Sequence, residues 1–176
     1  IFTILSSCAS RQLEEVTFRR ATISVPELMA TAGKYFRKVY KGNKAHIDFK
    51  IQPLEGRITG DWNQLRFLLE NLIDEACSVT LDGAVCLSAR EDGEFIRFLF
   101  TDMRREKTRE ELNQLFYPDL SRMTAGEKGE LYGTEYLVCK QIIRDHDEFA
   151  GRRGCRINAE PGKEGGFTIY FTLPKK

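Results

Sequence analysis

Three polar side chains lie on one face of a predicted helix whose opposite face is apolar. Asn71, Glu75 and Ser78 follow one another at i, i+4 and i+7, so a helix would line up their polar ends. A carboxylate oxygen is a hard ligand of the kind that divalent cations accept, so Glu75 is a candidate metal ligand. The alternative is a core helix with one solvated face, which the amphipathic pattern explains without any chemistry.

The helix that would position these side chains is predicted for residues 61–80. Asp61 and Gln64 have the spacing of a capping box, in which the first side chain accepts a hydrogen bond from the backbone of the second. Asp82 and Gly83 are predicted to end the helix. The intervening apolar residues recur at helical spacing and would form a buried stripe: Leu65, Leu68, Leu69, Leu72, Ile73 and Ala76.

The composition of the chain is that of an ordinary globular domain. It has 176 residues, of which 41% are hydrophobic and 30% are charged, with a net charge of +1. These values predict one domain with its own core, and they give no electrostatic reason to expect binding to nucleic acid or to a membrane. No apolar run reaches the roughly 18–20 residues of a membrane span.

The cysteines and the first residue bear on the origin of the chain. The cysteines form no CxxC pair and have no metal-ligand spacing with a histidine, which predicts reduced, packed thiols in a cytoplasmic domain. The chain begins at Ile1 without a methionine, so we expect it to be a fragment of a longer protein.

Helical and strand patterns are mixed along the chain. Capping-box patterns at Ser24 and Thr108 predict helices to about Tyr40 and over 109–116, and further helices are predicted for 3–17 and 133–145. Strands are predicted at 18–23, 46–52, 57–59, 84–90, 95–101, 155–160 and 167–173. The long loop 117–132 is expected to be functional or mobile. This mixture predicts an α+β two-layer sandwich, with helices on one face of a mixed, mostly antiparallel sheet.

Four segments, in their order and spacing, resemble motifs of the ATP-binding domain of sensor histidine kinases. That domain belongs to the GHKL superfamily, which also includes gyrase-type topoisomerases. DWNQLRFLLENLIDEACSVT is similar to the family's N-box helix, and Phe100-Thr101-Asp102 is similar to the strand that carries its adenine-binding Asp. GTEYLVCKQIIRDH is similar to the family's GLGLaivkxiVxxH segment, and GGFTIYFTLP to its closing GtxFxFxLP strand. Residues 24–176 are therefore expected to form the ATPase domain. Residues 1–23 resemble the segment that joins the family's phosphoacceptor helices to this domain.

The resemblance implies a site for ATP and Mg²⁺. Asn71 keeps a polar position of the N-box, and Glu75 stands where the family has the Asn that holds Mg²⁺. We therefore expect Asn71 to be catalytic and both residues to hold the metal. Asp102 would receive the amino group of adenine; the alternative is a strand-end cap for the next turn. The other implied nucleotide-binding residues are Gly133, Thr168, which would support Asp102, and Lys128, which would contact phosphate.

The nucleotide motifs depart from the family's pattern where the backbone should approach phosphate. Arg104 and Glu106 replace the two glycines after Asp102, and Leu131 and Glu135 replace glycines of the second glycine-rich box. A residue with a Cβ in the positive-φ conformation that glycine permits costs about 1–2 kcal/mol. A carboxylate about 4 Å from a phosphate would be repelled by about 4 kcal/mol, nearly a thousandfold in affinity.

Nearby cations would offset this repulsion or would form a solvated loop of mixed charge. The residues concerned are Arg104, Arg105, Lys107 and Lys128. Neither His46 nor His146 lies in a phosphoacceptor pattern. The chain therefore lacks an obvious phosphoacceptor of its own.

The sequence leaves two main functions open. The first is the C-terminal catalytic domain of a two-component sensor histidine kinase, which transfers the γ-phosphate of Mg-ATP to a histidine on an upstream segment. The second is a pseudokinase, a signalling or protein-interaction module that binds little or no ATP. An unrelated α+β domain is a third alternative. The resemblance implies three partnerships: with the upstream phosphoacceptor helices, indirectly with a response regulator, and with a second copy of the full-length protein.

Overall fold

The computed structural model describes residues 17–117 and 135–176 of the chain. Its helices in these ranges are α1 (Val25–Val39), α2 (Trp62–Cys77), α3 (Arg109–Phe116) and α4 (Glu135–Phe149). Its strands are β1 (Ala21–Ser24), β2 (Ile47–Gln52), β3 (Arg57–Gly60), β4 (Gly83–Asp92), β5 (Phe95–Asp102), β6 (Ile157–Pro161) and β7 (Phe167–Pro174). Residues 3–16 of the predicted first helix lie outside the described residues, as do Lys128, the predicted loop beyond Tyr117, and Gly133.

Five of the strands form the main sheet, in the spatial order β2-β4-β5-β7-β6. β2 runs parallel to β4, whereas the other neighbouring pairs are antiparallel. β1 and β3 pair separately as a two-stranded antiparallel sheet. The predicted α+β sandwich with a mixed, mostly antiparallel sheet is therefore confirmed. Within the described ranges, no helix is both long and apolar enough to cross a membrane.

Alternating burial along β5 decides which face of the sheet meets the helices. Between Phe95 and Asp102 the side chains alternate between half-buried and buried, as the two-residue period of a strand requires. Phe98 stacks on Phe171 of β7, with ring centroids 5.0 Å apart. The apolar stripe of α2 is buried in the same core. The alternation turns Asp102 toward the helices as well.

Helix α2 begins where the sequence predicts and ends three residues early. Asp61 is its N-cap, and the carboxylate accepts a hydrogen bond from the backbone N–H of Gln64 at 3.1 Å. The helix ends at Cys77 instead of residue 80. The hydroxyl of Ser78 donates to the carbonyl of Glu75 at 2.6 Å, and the chain then turns toward β4.

Helix α4 continues to Phe149, beyond the predicted end at residue 145. His146 explains the extra turn, because its side chain is fully buried. Its Nδ1 lies 2.8 Å from the carbonyl oxygen of Ile142, and its Nε2 accepts a hydrogen bond from the backbone N–H of Asp61 at 3.0 Å. His146 therefore joins the end of α4 to the start of α2, which is a structural role.

The first strand is shorter than predicted for the same reason. Phe18 packs edge-on against the imidazole of His146, with ring centroids 4.8 Å apart. β1 starts only at Ala21, where pairing with Gly60 of β3 begins. The aromatic contact therefore takes the place of strand pairing at the predicted start.

A carboxylate in the last turn of α4 holds the loop that leads to β6. Asp147 accepts hydrogen bonds from the backbone N–H groups of Gly154 and Cys155, at 2.7 and 3.1 Å. Arg153 donates to the other oxygen at 3.0 Å. Burial works against the charged form, but these hydrogen bonds and the charge of Arg153 outweigh it. They lower the pKa of Asp147 below its ordinary value of 3.8.

Asp147→Asn is expected to lower the free energy of unfolding by about 1–2 kcal/mol at neutral pH, because the amide loses charge-assisted hydrogen bonds. The native pKa lies below the unfolded value of 3.8, so the carboxylate stabilises the fold above that pH and loses its effect as the pH falls through the native pKa. Urea unfolding of both proteins checks this. The difference should be constant between about pH 7 and pH 5 and shrink below about pH 4. A difference that persists unchanged in strong acid would contradict the assignment.

Candidate functional site

The carboxylate of Asp102 lies at the end of β5, where the side chain of Arg104 covers it. The side chain of Asp102 is 2% exposed and that of Arg104 is 0% exposed. Nε of the guanidinium donates to Oδ1 and Nη2 donates to Oδ2, both at 2.9 Å. The backbone N–H of Arg104 also donates to Oδ1, at 3.0 Å. The two residues thus form a buried, bidentate ion pair.

The remaining N–H groups of Arg104 point at the chain that leaves α2. Nη2 donates to the carbonyl of Ala76 at 2.6 Å, and Nη1 donates to the carbonyls of Val79 and Leu81 at 3.0 and 2.9 Å. A guanidinium carries five N–H donors, and here every one of them has an acceptor.

This arrangement also completes the end of α2. The last carbonyls of a helix lack partners within the helix and carry partial negative charge, which favours a cation. The last turn of α2 has no basic residue of its own. Arg104 therefore supplies both the C-terminal cap and the countercharge from a distant part of the chain.

A glycine makes room for the side chain of Arg104. Gly83 has a φ of 138°, and a Cβ placed there would lie 2.7 Å from Cγ of Arg104. Cys77 is buried nearby, and burial raises the pKa of its thiol to about 11 against the opposing charge of Arg104. The thiol is therefore protonated at neutral pH and packs as a small apolar group.

Arg105 and Lys107, in the connection from β5 to α3, have their own contacts. Nη2 of Arg105 lies 3.6 Å from Oδ2 of Asp102. The guanidinium of Arg105 and the ammonium of Lys107 lie 5.6 and 5.3 Å from the centre of the Phe167 ring. These cations are thus held beside Asp102 and the start of β7.

The buried position of Arg104 corrects an expectation from the sequence. The sequence predicts that Arg104 contacts phosphate or lies in a solvated loop, and the structure places it in neither environment. Its guanidinium points inward because Asp102 and the end of α2 together offer enough acceptors to compensate for the loss of water.

The polar face of α2 is tied to the neighbouring helix. Nδ2 of Asn71 donates to Sγ of Cys139 on α4, at 3.4 Å. Glu75 is half-buried on the same helix. In the part of the chain that the structure describes, no group of three or more His, Cys, Asp or Glu side chains could hold a metal ion. A Mg²⁺ ion at Glu75 would therefore keep most of its ligands as water or phosphate oxygen, as Mg²⁺ commonly does.

Thr168 does not meet the carboxylate that it is expected to support. It pairs across the sheet with Thr101, and their hydroxyl oxygens lie 2.8 Å apart. The residue opposite Asp102 is Phe167. Because successive side chains of a strand point to opposite faces, Thr168 and Asp102 lie on different sides of the sheet. Of the other implied residues, Lys128 and Gly133 lie outside the described ranges.

Comparison with known proteins identifies the family. Residues 60–176, well over half of the chain, match the model of the histidine kinase-, DNA gyrase B-, and HSP90-like ATPases. The chain belongs to this ATPase family. Its sequence is 30% identical over 138 residues to the adaptive-response sensory kinase SasA of Thermosynechococcus vestitus, an alignment that covers 77% of this chain and 34% of that kinase. The chain thus spans about a third of the length of this curated relative.

Solved structures of histidine kinases have the same fold as this ATPase domain. The nucleotide-free catalytic domain of ThkA superposes with a TM-score of 0.67 at 18% identity, covering 89% of this chain and 96% of that domain. ThkA in complex with the response regulator TrrA superposes with a TM-score of 0.73 at 20% identity, covering 99% of this chain and 47% of the ThkA chain. The histidine kinase AdeS of Acinetobacter baumannii superposes with a TM-score of 0.67 at 14% identity, covering 98% of this chain and 75% of the AdeS chain. The chain therefore belongs to the ATPase family and has the fold of histidine kinase catalytic domains.

Members of an ATPase family bind adenine, so the surroundings of Asp102 are compared with what the amino group of adenine requires. In this ATPase domain both oxygens of Asp102 accept hydrogen bonds from Arg104. The guanidinium fills the space between the carboxylate and the end of α2. The amino group of adenine would offer N–H donors to a carboxylate whose acceptor positions toward α2 are already taken. The arrangement seen here therefore does not fit adenine.

Proposed function

We propose that this histidine kinase-type domain is the signalling part of a two-component sensor protein, and that it binds ATP and Mg²⁺ weakly or not at all. The observation that carries the proposal is the buried pair of Asp102 and Arg104. Breaking a buried ion pair typically costs about 3–5 kcal/mol, and this cost would be subtracted from the binding energy of any adenine that displaced Arg104. The expected penalty in affinity is about a hundredfold to several thousandfold.

The proposed partners are those of a sensor kinase. The domain would contact the upstream phosphoacceptor helices of the same protein, dimerise through them, and act indirectly on a response regulator from the cytoplasmic side. Two observations support these partners. SasA, a sensory kinase, is about three times as long as the segment aligned with it, and ThkA forms a complex with a response regulator.

The second candidate function is phosphoryl transfer from Mg-ATP to a histidine on the upstream segment. Its support is Asp102 itself, a buried carboxylate kept at the end of β5 in a family of ATPases. In that case Asn71 and Glu75 would hold the metal, and Gly133 and Lys128 would approach the phosphates. Arg104 would first have to leave the carboxylate.

A titration with Mg-ATP separates the two candidates. We expect calorimetry to give no saturable heat, and the melting temperature to stay unchanged, at about 1 mM Mg-ATP. A dissociation constant of about 10 μM would instead add about 2.7 kcal/mol of stability at that concentration and raise the melting temperature by about 5–10 °C. That result would overturn the proposal in favour of phosphoryl transfer. Asp102→Asn is the control, because binding that survives it does not involve this carboxylate.

A further inference from the structure

We propose that Asp102 and the end of α2 form a receptor for a guanidinium group, that Arg104 is its built-in ligand, and that removing this side chain opens a site for small guanidinium and amidinium ions. The inference rests on the proposed function in one respect, since the receptor includes the carboxylate expected to receive adenine. It goes further by assigning a ligand class to the vacated site.

The set of acceptors around Arg104 matches a guanidinium group. Two carboxylate oxygens of Asp102 and the carbonyl oxygens of Ala76, Val79 and Leu81 converge on one guanidinium. They match its donors one for one, and the side chain is completely buried. An ammonium ion carries fewer donors and is a compact, strongly hydrated charge, so it fits this set less well.

The receptor is held by contacts that do not involve the side chain of Arg104. Asp102 is paired on both sides within the sheet, with Val85 of β4 and Phe167 of β7. The backbone N–H of Met103 donates to the carbonyl of Ala84 at 3.0 Å. These bonds fix the carboxylate end of the receptor when the side chain at position 104 is removed.

The helix end of the receptor is anchored as well. Tyr35 and Tyr40 both donate to Oδ1 of Asp74, at 2.7 and 2.5 Å, and so bind α1 and the residue after it to the last turns of α2. The carbonyl of Ala76 lies in the same part of α2. The carboxylate of Asp102 and the carbonyl of Ala76 are therefore preorganised, which lowers the cost of binding a small cation.

The test uses Arg104→Ala and methylguanidinium chloride. The variant should melt at a lower temperature than the wild type, and methylguanidinium should raise its melting temperature. The rise should be about 3–6 °C at a tenfold excess over the dissociation constant. Wild type and Arg105→Ala, which loses the neighbouring cation instead, should show no rise. Ammonium chloride at the same concentration controls for ionic strength. A variant that responds to methylguanidinium no more than to ammonium would overturn the receptor.

A second variant keeps the proposal testable when Arg104→Ala does not fold. Arg104→Lys retains the charge and most of the stem but cannot supply the planar set of donors. It should melt well below the wild type. A lysine variant as stable as the wild type would show that charge alone suffices, and the assigned ligand class would then be wrong.

Titration of the same proteins with Mg-ATP separates this inference from the proposed function. Weak binding by the wild type and at least about hundredfold tighter binding by Arg104→Ala would support both. Tight binding by the wild type would overturn the proposed function, whatever methylguanidinium does. Equal affinities in the two proteins would overturn the idea that Arg104 occupies the adenine position. Rescue by methylguanidinium without any ATP binding would support the receptor and the proposed function together.

Discussion

Asp102→Ala is expected to lower the free energy of unfolding by about 3–5 kcal/mol, because it leaves the guanidinium of Arg104 buried without a countercharge. The bonds from Arg104 to the three carbonyls do not compensate, since carbonyls carry only partial charge. Arg105 adds to the cost, because its guanidinium lies within 3.6 Å of the lost carboxylate and is positive as well. Urea unfolding measures the effect; guanidinium chloride is unsuitable, because it is a salt and would screen the charges under test.

A surface ion pair in the same sheet is the matched control. Arg97 donates to Asp92 at 3.0 Å, but these side chains are 23% and 45% exposed. Asp92→Ala should cost less than about 1 kcal/mol, because solvent screens an exposed pair. Equal losses of unfolding free energy in Asp92→Ala and Asp102→Ala would mean that burial of the pair between Asp102 and Arg104 adds nothing to its effect on stability.

A double-mutant cycle tests whether Asp102 and Arg104 act as a unit. Asp102→Leu and Arg104→Met each leave one buried partner unpaired, whereas the double variant replaces the pair with apolar groups. Such replacement is often neutral, so the double variant should be more stable than either single variant. The coupling energy should be at least about 2 kcal/mol. Additive losses would contradict a direct interaction.

The parts of the fold that depend on local rules were predictable from the sequence. Thr108 and Glu111 form a reciprocal capping box, and α3 covers the predicted residues 109–116. The apolar stripe of α2 is buried as its spacing requires. Such elements depend on residues three or four positions apart, which a sequence displays directly.

The site was less predictable because its contacts join distant residues. Nη2 of Arg104 reaches the carbonyl of Ala76 across 28 positions of sequence, and no spacing rule describes that contact. Thr168 illustrates a different difficulty. A shift of one residue moves a side chain to the other face of a sheet, so Phe167 rather than Thr168 stands beside Asp102.

The substitutions after Asp102 have different structural consequences. Arg104, where the family has a glycine, fills the site with its side chain. Glu106, where the family has another glycine, accepts a hydrogen bond from the backbone N–H of Gly166 at 3.2 Å. Both side chains bind the segment after Asp102 to its surroundings. A loop fixed in this way is less able to move around a phosphate, which supports the proposal of weak nucleotide binding.

The turn before β7 comes closer to Asp102 than any side chain larger than hydrogen permits. Gly166 has a φ of 70°, and a Cβ there would lie 2.1 Å from the carbonyl oxygen of Asp102 and 2.8 Å from Cα of Met103. These are backbone atoms, which cannot rotate away. Gly93 has a similar φ of 61°, but no atom lies within 4 Å of the position that a Cβ would take there.

Gly166→Ala is therefore expected to lower the free energy of unfolding by about 2–5 kcal/mol, the sum of about 1–2 for the positive φ and about 1–3 for the overlap. Gly93→Ala carries the conformational cost alone and should lose only about 1–2 kcal/mol. Urea unfolding of both variants isolates the overlap as the difference between them. The overlapping oxygen belongs to Asp102, so relief of the overlap on that side would move the residue that holds Arg104. Equal losses of unfolding free energy in Gly166→Ala and Gly93→Ala would mean that the turn at Gly166 moves without cost. The position of Asp102 would then not depend on this turn.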